Sequence, residues 1–527
     1  MRSISEIYQT IKRDAVHSPN YILLGGSAIV SVFALGPLPN IAIILLLSKI
    51  LMTTFINTPY RRYLIPQALL LAVGTSLSYL RQVHSATGRT NVVEILLLFT
   101  LSLFTTIIAL LPLQDLTWNS HLDHVRISLF PLAWATVWAL FESFSSIGRQ
   151  GSWTPLGSFL DRLLPFTGQF GIDFAVASLS LIVATAGIQG YETLSKTDGD
   201  IDSHEQPDES APLIASERPT TALPSLKKAS LALSKVLIAF VVIVNIFSPR
   251  IRQTEPSNSL SVACVRPQDG NFMKESQRLL AHANVLLWPE ARMEVHDDKE
   301  KHELLDQVMK ILQNNKRAYV GVTFKQRRKG KSTNELLWVT HDGVDFEYSK
   351  KNVVPIAESF STSPGLAEAP ISTIPLPLES IKHTDAIPLS VSSGICFDGA
   401  FPMRHADLQL FPARTWDPIV AEQMYQLTKA RARESSSALL WCDGGDSGLS
   451  AAVDDQGYEH MLERGGASSV ARLPFSRGKD RVESRNMASV LGRVGVAALF
   501  YAGYLLAYHR RLVEKLKWKE RGGVREV

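Results

Sequence analysis

Three residues in the second half of the chain carry side chains that could do chemistry, and each closes a short apolar or alternating run. Glu290 follows the bulky run of "LLWPEARMEV", where a carboxylate at the mouth of a buried strand is either a solvated loop residue or a placed acid/base. Lys350 ends "DFEYSK" and, taken alone, reads as a solvated hairpin lysine. Cys396 sits in "SVSSGICFDGAFP", where an apolar strand meets small residues and a turn. A buried cysteine is usually a small inert hydrophobe; it becomes a nucleophile only where something removes its proton. Cys264 and Cys442, the other two cysteines, match no catalytic spacing and read as structural. Three scattered cysteines are too few for a disulfide framework, and no CxxC or His-rich spacing suggests a metal or cofactor site.

The elements that must position these residues belong to two unlike parts. The chain has 527 residues, 46% of them apolar. Before about residue 248 the apolar residues come in runs near the ~20 needed to cross ~30 Å of hydrocarbon; between 253 and 483 they come in short runs broken by charge. Candidate spans fall at 21–35, 41–56, 64–80, 92–113, 127–144, 170–188, 229–247 and 487–508. Glu142 lies inside one of them, where a charge is costly and faces a bundle interior. The basic tail, with Arg510, Arg511, Lys515, Lys517, Lys519, Arg521 and Arg525, is expected to stay cytoplasmic. That places the region between the last two spans on the other side. The Met1-led segment lacks a small-residue cleavage site and reads as a retained terminus. A net charge of +4 without a basic stripe interleaved with aromatics argues against a nucleic-acid partner.

Between the sixth and seventh spans, "SKTDGDIDSHEQPDESAPLIASERPTT" has too little apolar content to pack and predicts a disordered cytoplasmic loop. Within it "ESAPLI" fits an acidic dileucine sorting pattern. The soluble part alternates strands ("ANVLLWPE", "AYVGVTF", "ELLWVTH", "DFEYSK", "IPLSVSSGICFD", "LQLFPA", "SALLWCD", "LSAAVDD") with helical patterns at 299–314 and 418–435, which predicts an α/β domain.

The order Glu290, Lys350, Cys396 at strand-to-loop junctions resembles the catalytic triad of the nitrilase, or carbon-nitrogen hydrolase, superfamily. The whole chain is similar to its membrane-embedded branch, the apolipoprotein N-acyltransferases. "WPE" matches that family's base motif, "YSKKNVVPIAE" its lysine segment with Glu358 as second glutamate, and "GICFD" its nucleophile segment. "GSWTPLGSFL" and "LLPFTGQFGIDF" before the sixth span, and 429–457 after the nucleophile, resemble further family segments. The sequence departs from the pattern at Asp398, where the family has glutamate, at Ile356 and Ala357, where it has Phe-Gly, and across "LFPARTWDP". Substrate identity is therefore less fixed than the triad.

The resemblance implies a bundle of about eight transmembrane helices carrying an inserted nitrilase-like α-β-β-α sandwich. Its expected parts are helices one to six in 1–190, the acidic loop in 191–225, a seventh helix in 226–250, the catalytic domain in 251–483, and an eighth helix with the basic tail in 484–527. It also implies roles. Glu290 takes the thiol proton, Cys396 attacks an ester or amide carbonyl and holds the acyl group as a thioester, and Lys350 stabilises the oxyanion, with Glu358 and Asp398 in support. The expected activity is transfer of an acyl chain from a phospholipid to an amine acceptor, a protein N-terminus or a small molecule. The rival is a membrane-tethered amidase or nitrilase-like hydrolase using the same triad; lipid-facing apolar loops around the site would favour transfer, a closed polar pocket hydrolysis. The acidic loop points to a eukaryotic endomembrane or vacuolar membrane, with the catalytic domain on the non-cytoplasmic side.

Overall fold

The computed structural model describes residues 19–56, 61–87, 92–118, 124–201, 222–247 and 259–475, apart from 329, 356, 377–386 and 447. The N-terminal segment, the expected eighth span, the basic tail and the "ESAPLI" stretch lie outside the described residues.

The first seven expected spans each fall on a helix: α1 (Pro19–Ala34), α2 (Ala42–Ile56), α3 (Arg61–Thr87), α4 (Val92–Trp118), α5 (His124–Phe144), α6 (Leu164–Ile201) and α7 (Ala222–Phe247). By length and composition, three stretches among the described residues could cross a membrane: Val92–Leu113, Ile127–Phe144 and Phe159–Thr193. The expectation of about eight is thus met by three. At 16 and 15 residues, α1 and α2 are shorter than the ~20 a full crossing needs. The acidic loop expected from residue 191 is corrected at both ends, because α6 runs on to Ile201 and α7 begins at Ala222. Helix α6 has its own interruption at Gly168, whose positive φ of 61° a glycine adopts without cost.

The second part is two sheets packed face to face. One has strand order β13 (Ser469–Pro474), β1 (Ser259–Cys264), β2 (Val285–Leu287), β4 (Tyr319–Arg328), β5 (Lys331–Thr340), β6 (Gly343–Ser349), with β3 (Met293–Val295) also on β4. The other runs β12 (Glu459–Arg464), β11 (Leu449–Val453), β10 (Ala438–Asp443), β9 (Leu408–Ala413), β8 (Ile387–Ser393), β7 (Ser372–Leu376). The period-two alternation of strands sorts the faces. Leu260, Val262, Cys264, Val285 and Leu287 join the core between the sheets, while Ala263, Val265, Leu286 and Trp288 turn outward under α8 (Phe272–Leu279) and α9 (Asp298–Leu312). On the far side, α10 (Pro418–Glu434) covers the second sheet and also packs on α6, so it is the layer between the sandwich and the bundle.

Cys264 and Cys442 are not separate thiols; they form a disulfide from β1 to β10, with Cα atoms 5.4 Å apart. It joins the two sheets across their shared core and spans 178 residues of sequence, a pairing that no local pattern signals. Such a crosslink removes unfolded-chain entropy, so changing both cysteines to serine is expected to cost about 2–5 kcal/mol. The measurement is the apparent melting temperature of the purified protein in detergent, where an unchanged value would deny the bond a stabilising role.

Candidate active site

All three residues lie just past the carboxyl ends of strands, Glu290 after β2, Lys350 after β6 and Cys396 after β8. Strand β2 is parallel to β4, β6 returns to that direction after the antiparallel β5, and β8 is parallel to β9. Glu290 is the third residue after β2. Trp288 fixes the strand end below it, buried against Phe272 at 4.9 Å between ring centroids and donating from Nε1 to Ser276 Oγ at 2.9 Å. Ala291 then turns the chain with a φ of 52°.

The Glu290 carboxylate is buried and accepts from Lys350 Nζ at 2.8 Å and Asn334 Nδ2 at 2.8 Å through Oε1. The Cys396 thiol is close enough to the same carboxylate to steady its charge. Burial pushes the Glu290 pKa up, and the Lys350 ammonium pulls back against it. Lys350 is wholly buried and donates also to Glu358 Oε1 at 2.9 Å. Burial alone would discharge it, but Glu290, Cys396 and Glu358 outweigh burial and hold it cationic. The other Glu358 oxygen accepts from Val354 N–H at 2.8 Å, which anchors it in its own loop. The next residue has a different fate: Lys351 reaches outward to Glu368.

Cys396 opens a 3-10 turn, Cys396–Ala400, in the left-handed region at φ 49°. That is a costly conformation for a non-glycine residue, of order 1 kcal/mol, and the structure around it must impose it. Asp398 does much of this. Its Oδ2 accepts from Ile395 N–H and from Tyr348 Oη, both at 2.9 Å; its Oδ1 accepts from Asn352 N–H at 2.8 Å and Asn352 Nδ2 at 2.9 Å. Asp398 thus ties the nucleophile turn to both flanks of Lys350. The thiol itself is buried and its pKa is pushed up by burial and by the Glu290 charge, with Lys350 and the nearby backbone N–H of Arg414 opposing. A carboxylate, a cation and a backbone N–H around one thiol can deprotonate it, and can stabilise an oxyanion built by its attack.

The structure therefore brings together all five expected residues: Glu290, Lys350, Cys396, Glu358 and Asp398. Sequence reasoning missed Asn334, the Arg414 N–H, and the roles of Tyr348 and Asn352, although both lie inside the quoted lysine segment. It also missed what holds the turn from below. Arg149 N–H donates to Ala400 O at 3.0 Å, and the Gly148 backbone approaches so closely, at φ 54°, that an added Cβ would lie 2.5 Å from that oxygen. Arg149 donates to Glu142 and to Asp173, each at 2.6 Å, and Arg431 of α10 donates to the other Glu142 oxygen. Glu142 is thus the node of an ion network between α5, α6 and α10. Breaking a buried pair leaves the remaining charge uncompensated, so Arg431→Met is expected to cost about 3–5 kcal/mol. The readout is thermal unfolding in detergent, and a loss within ~0.5 kcal/mol of zero would mean the network braces nothing.

No family model matches the chain, and no curated protein does. Solved structures similar to it include a CN-hydrolase superfamily protein of Xanthomonas campestris, with 16% identity, 44% of this chain and 96% of that one covered, and a TM-score of 0.32. An amidase from Nesterenkonia sp. also has 16% identity, with 45% and 99% covered and a TM-score of 0.32. Saccharomyces cerevisiae Nit3, a member of branch 10 of the nitrilase superfamily, has 15% identity, with 44% and 94% covered and a TM-score of 0.32.

Proposed function

We propose that the protein is a membrane-bound acyltransferase in which Cys396 takes an acyl chain from a phospholipid as a thioester and passes it to an amine. Glu290 is the base, Lys350 and the Arg414 N–H stabilise the oxyanion, Glu358 holds Lys350, and Asp398 holds the nucleophile turn. The observation that carries the reading is where the site is attached. The nucleophile turn hangs from the α5–α6 connection through Arg149 N–H and Ala400 O. The loop that supplies the Arg414 N–H is pinned to the end of α3, Trp416 Nε1 donating to Gln82 O at 3.3 Å and Ser85 Oγ to Asp417 Oδ2 at 3.3 Å. A thiol held on the ends of apolar helices suits a donor that arrives from the bilayer. The loop carrying Glu358 adds to this, for it exposes Phe360 (82%) and Leu366 (98%), side chains that water disfavours and acyl chains do not.

The disulfide supports the non-cytoplasmic placement of this domain, since such bonds persist in oxidising compartments and are rare in the cytosol. In freshly isolated membranes Cys264 and Cys442 are expected to resist alkylation until reduced. Free thiols at both would put the domain on the cytoplasmic side and reverse the topology.

Transfer and hydrolysis share the first half of the reaction, so products decide between them. Purified protein given a phospholipid and a short peptide with a free N-terminus is expected to yield acylated peptide in excess of free fatty acid. Free acid alone, at the same rate with or without peptide, would make the protein a hydrolase.

A further inference from the structure

Three arginine side chains gather beside the site, none of them given a part in the reaction just described. Arg292 lies two residues past Glu290, Arg414 is the residue whose N–H faces the thiol, and Arg266 follows β1. The loops of Arg292 and Arg414 meet where Glu290 N–H donates to Ala413 O at 3.3 Å. None of the three forms an ion pair among the described residues, and Arg292 Nε is buried with no hydrogen-bond partner among them. Two glycines after β10, Gly444 and Gly448, leave room for two of them. An added Cβ at Gly444 would lie 2.3 Å from Arg292 Nη2, and one at Gly448 2.5 Å from Arg266 Nη2. Glycine there lets both guanidinium groups lie on bare backbone, with Arg266 Nη1 donating to Gly448 O at 2.6 Å. Two carboxylates are near: Asp443, which also accepts from Thr415 and from Gly445 N–H, and Asp446 offset the charge of the cluster, but burial and the neighbouring arginines outweigh them at Arg292. Beyond burial, Arg414 and Arg266 themselves push the Arg292 pKa down, a mark of like charges held together.

We propose that Arg266, Arg292 and Arg414 form a subsite for a phosphate group at the entrance of the Cys396 site. Guanidinium forks match phosphate oxygens in geometry as well as charge, and an unpaired Nε is the donor such a ligand would complete. The inference deepens the reading above by assigning the residues that would hold the phosphodiester of the acyl donor. Its first test needs no acyl donor, so the two can fail separately.

That test compares an anionic and a neutral thiol reagent on the full chain in uncharged detergent micelles. With Cys264 and Cys442 oxidised, Cys396 is the one free cysteine. The ratio of its alkylation rates by iodoacetate and iodoacetamide cancels general effects on the thiol. Arg292→Gln and Arg414→Gln are each expected to lower the ratio about threefold, and the pair about tenfold, as one or two nearby charges are removed. Lysine at the same positions should retain it. Arg414 has an exposed side chain, so its variant does not depend on refolding a core. A ratio unchanged in the double variant overturns the proposal.

A second arm identifies the source of the phosphate. Protection of Cys396 from iodoacetamide by dihexanoyl phosphatidylglycerol, lost in the double variant, with none from inorganic phosphate, assigns the subsite to a lipid headgroup. Equal protection by inorganic phosphate, again lost in the double variant, assigns it to free phosphate. Protection by neither, or protection that survives in the double variant, overturns the subsite.

Discussion

Cys396→Ala is expected to abolish turnover, and Cys396→Ser to leave little more. The alanine has no nucleophile. The serine keeps the turn and the shape but offers a hydroxyl whose proton Glu290 is poorly matched to remove, because its pKa lies far above that of a thiol. Glu290→Gln should stop the same step from the other side, since the proton then has no acceptor. The three variants are compared by single-turnover release of acyl groups from phospholipid, with folding checked by retained thermal unfolding. Substantial turnover by Cys396→Ala would remove the thiol from the reaction whatever its geometry.

The second large effect is expected at Lys350. Lys350→Met should lower the rate constant of acylation by about 10² to 10³ while the KM for donor changes little, because the charge it stabilises develops only near the transition state. The pH profile gives a readout that misfolding would not. The base must be ionised, and Glu290 has a pKa raised by burial, so activity falls on the acid side, above the ordinary carboxylate range. Lys350 is what pulls that pKa back. Without it the acid limb moves to higher pH, and a limb that stays in place would mean Lys350 and Glu290 are not coupled. Lys351→Met is the control: its side chain leaves the site for Glu368 at the surface, and its loss should be mild. If Lys351→Met were the more damaging of the two, the lysine assignment would be wrong.

The two lysines also mark what could be read from sequence. Adjacent residues at a strand end point opposite ways, so one register assignment sends Lys350 inward and Lys351 outward, and the resemblance supplied that register. Glu290 and Cys396 each stand at a boundary between an apolar run and a turn, which made them candidates; their roles, and that of Asp398, came from the resemblance. Helices at 298–312 and 418–434 fell within two residues of their patterns. Partners fixed by tertiary packing were not legible. Asn334 lies on β5, and nothing in "ELLWVTH" or the residue before it says that its amide meets Glu290. Glu142 and Arg431 are 289 positions apart, and the disulfide pair 178. A charge within an apolar helix announces a partner but not its identity. Of the expected spans, three of those among the described residues are both long and apolar enough to cross, and the eighth lies outside the described residues.

The central claim is that an acyl chain from a phospholipid becomes a thioester on Cys396, and intact mass tests it most directly. Purified protein is incubated with a phospholipid of two identical chains, without acceptor, and weighed before and after hydroxylamine, which cleaves thioesters at neutral pH. The account predicts one added acyl mass on the natural protein, removed by hydroxylamine and absent from Cys396→Ala. An adduct of that mass on Cys396→Ala, one that resists hydroxylamine, or no adduct on an enzyme whose acylation step is demonstrably fast would contradict it.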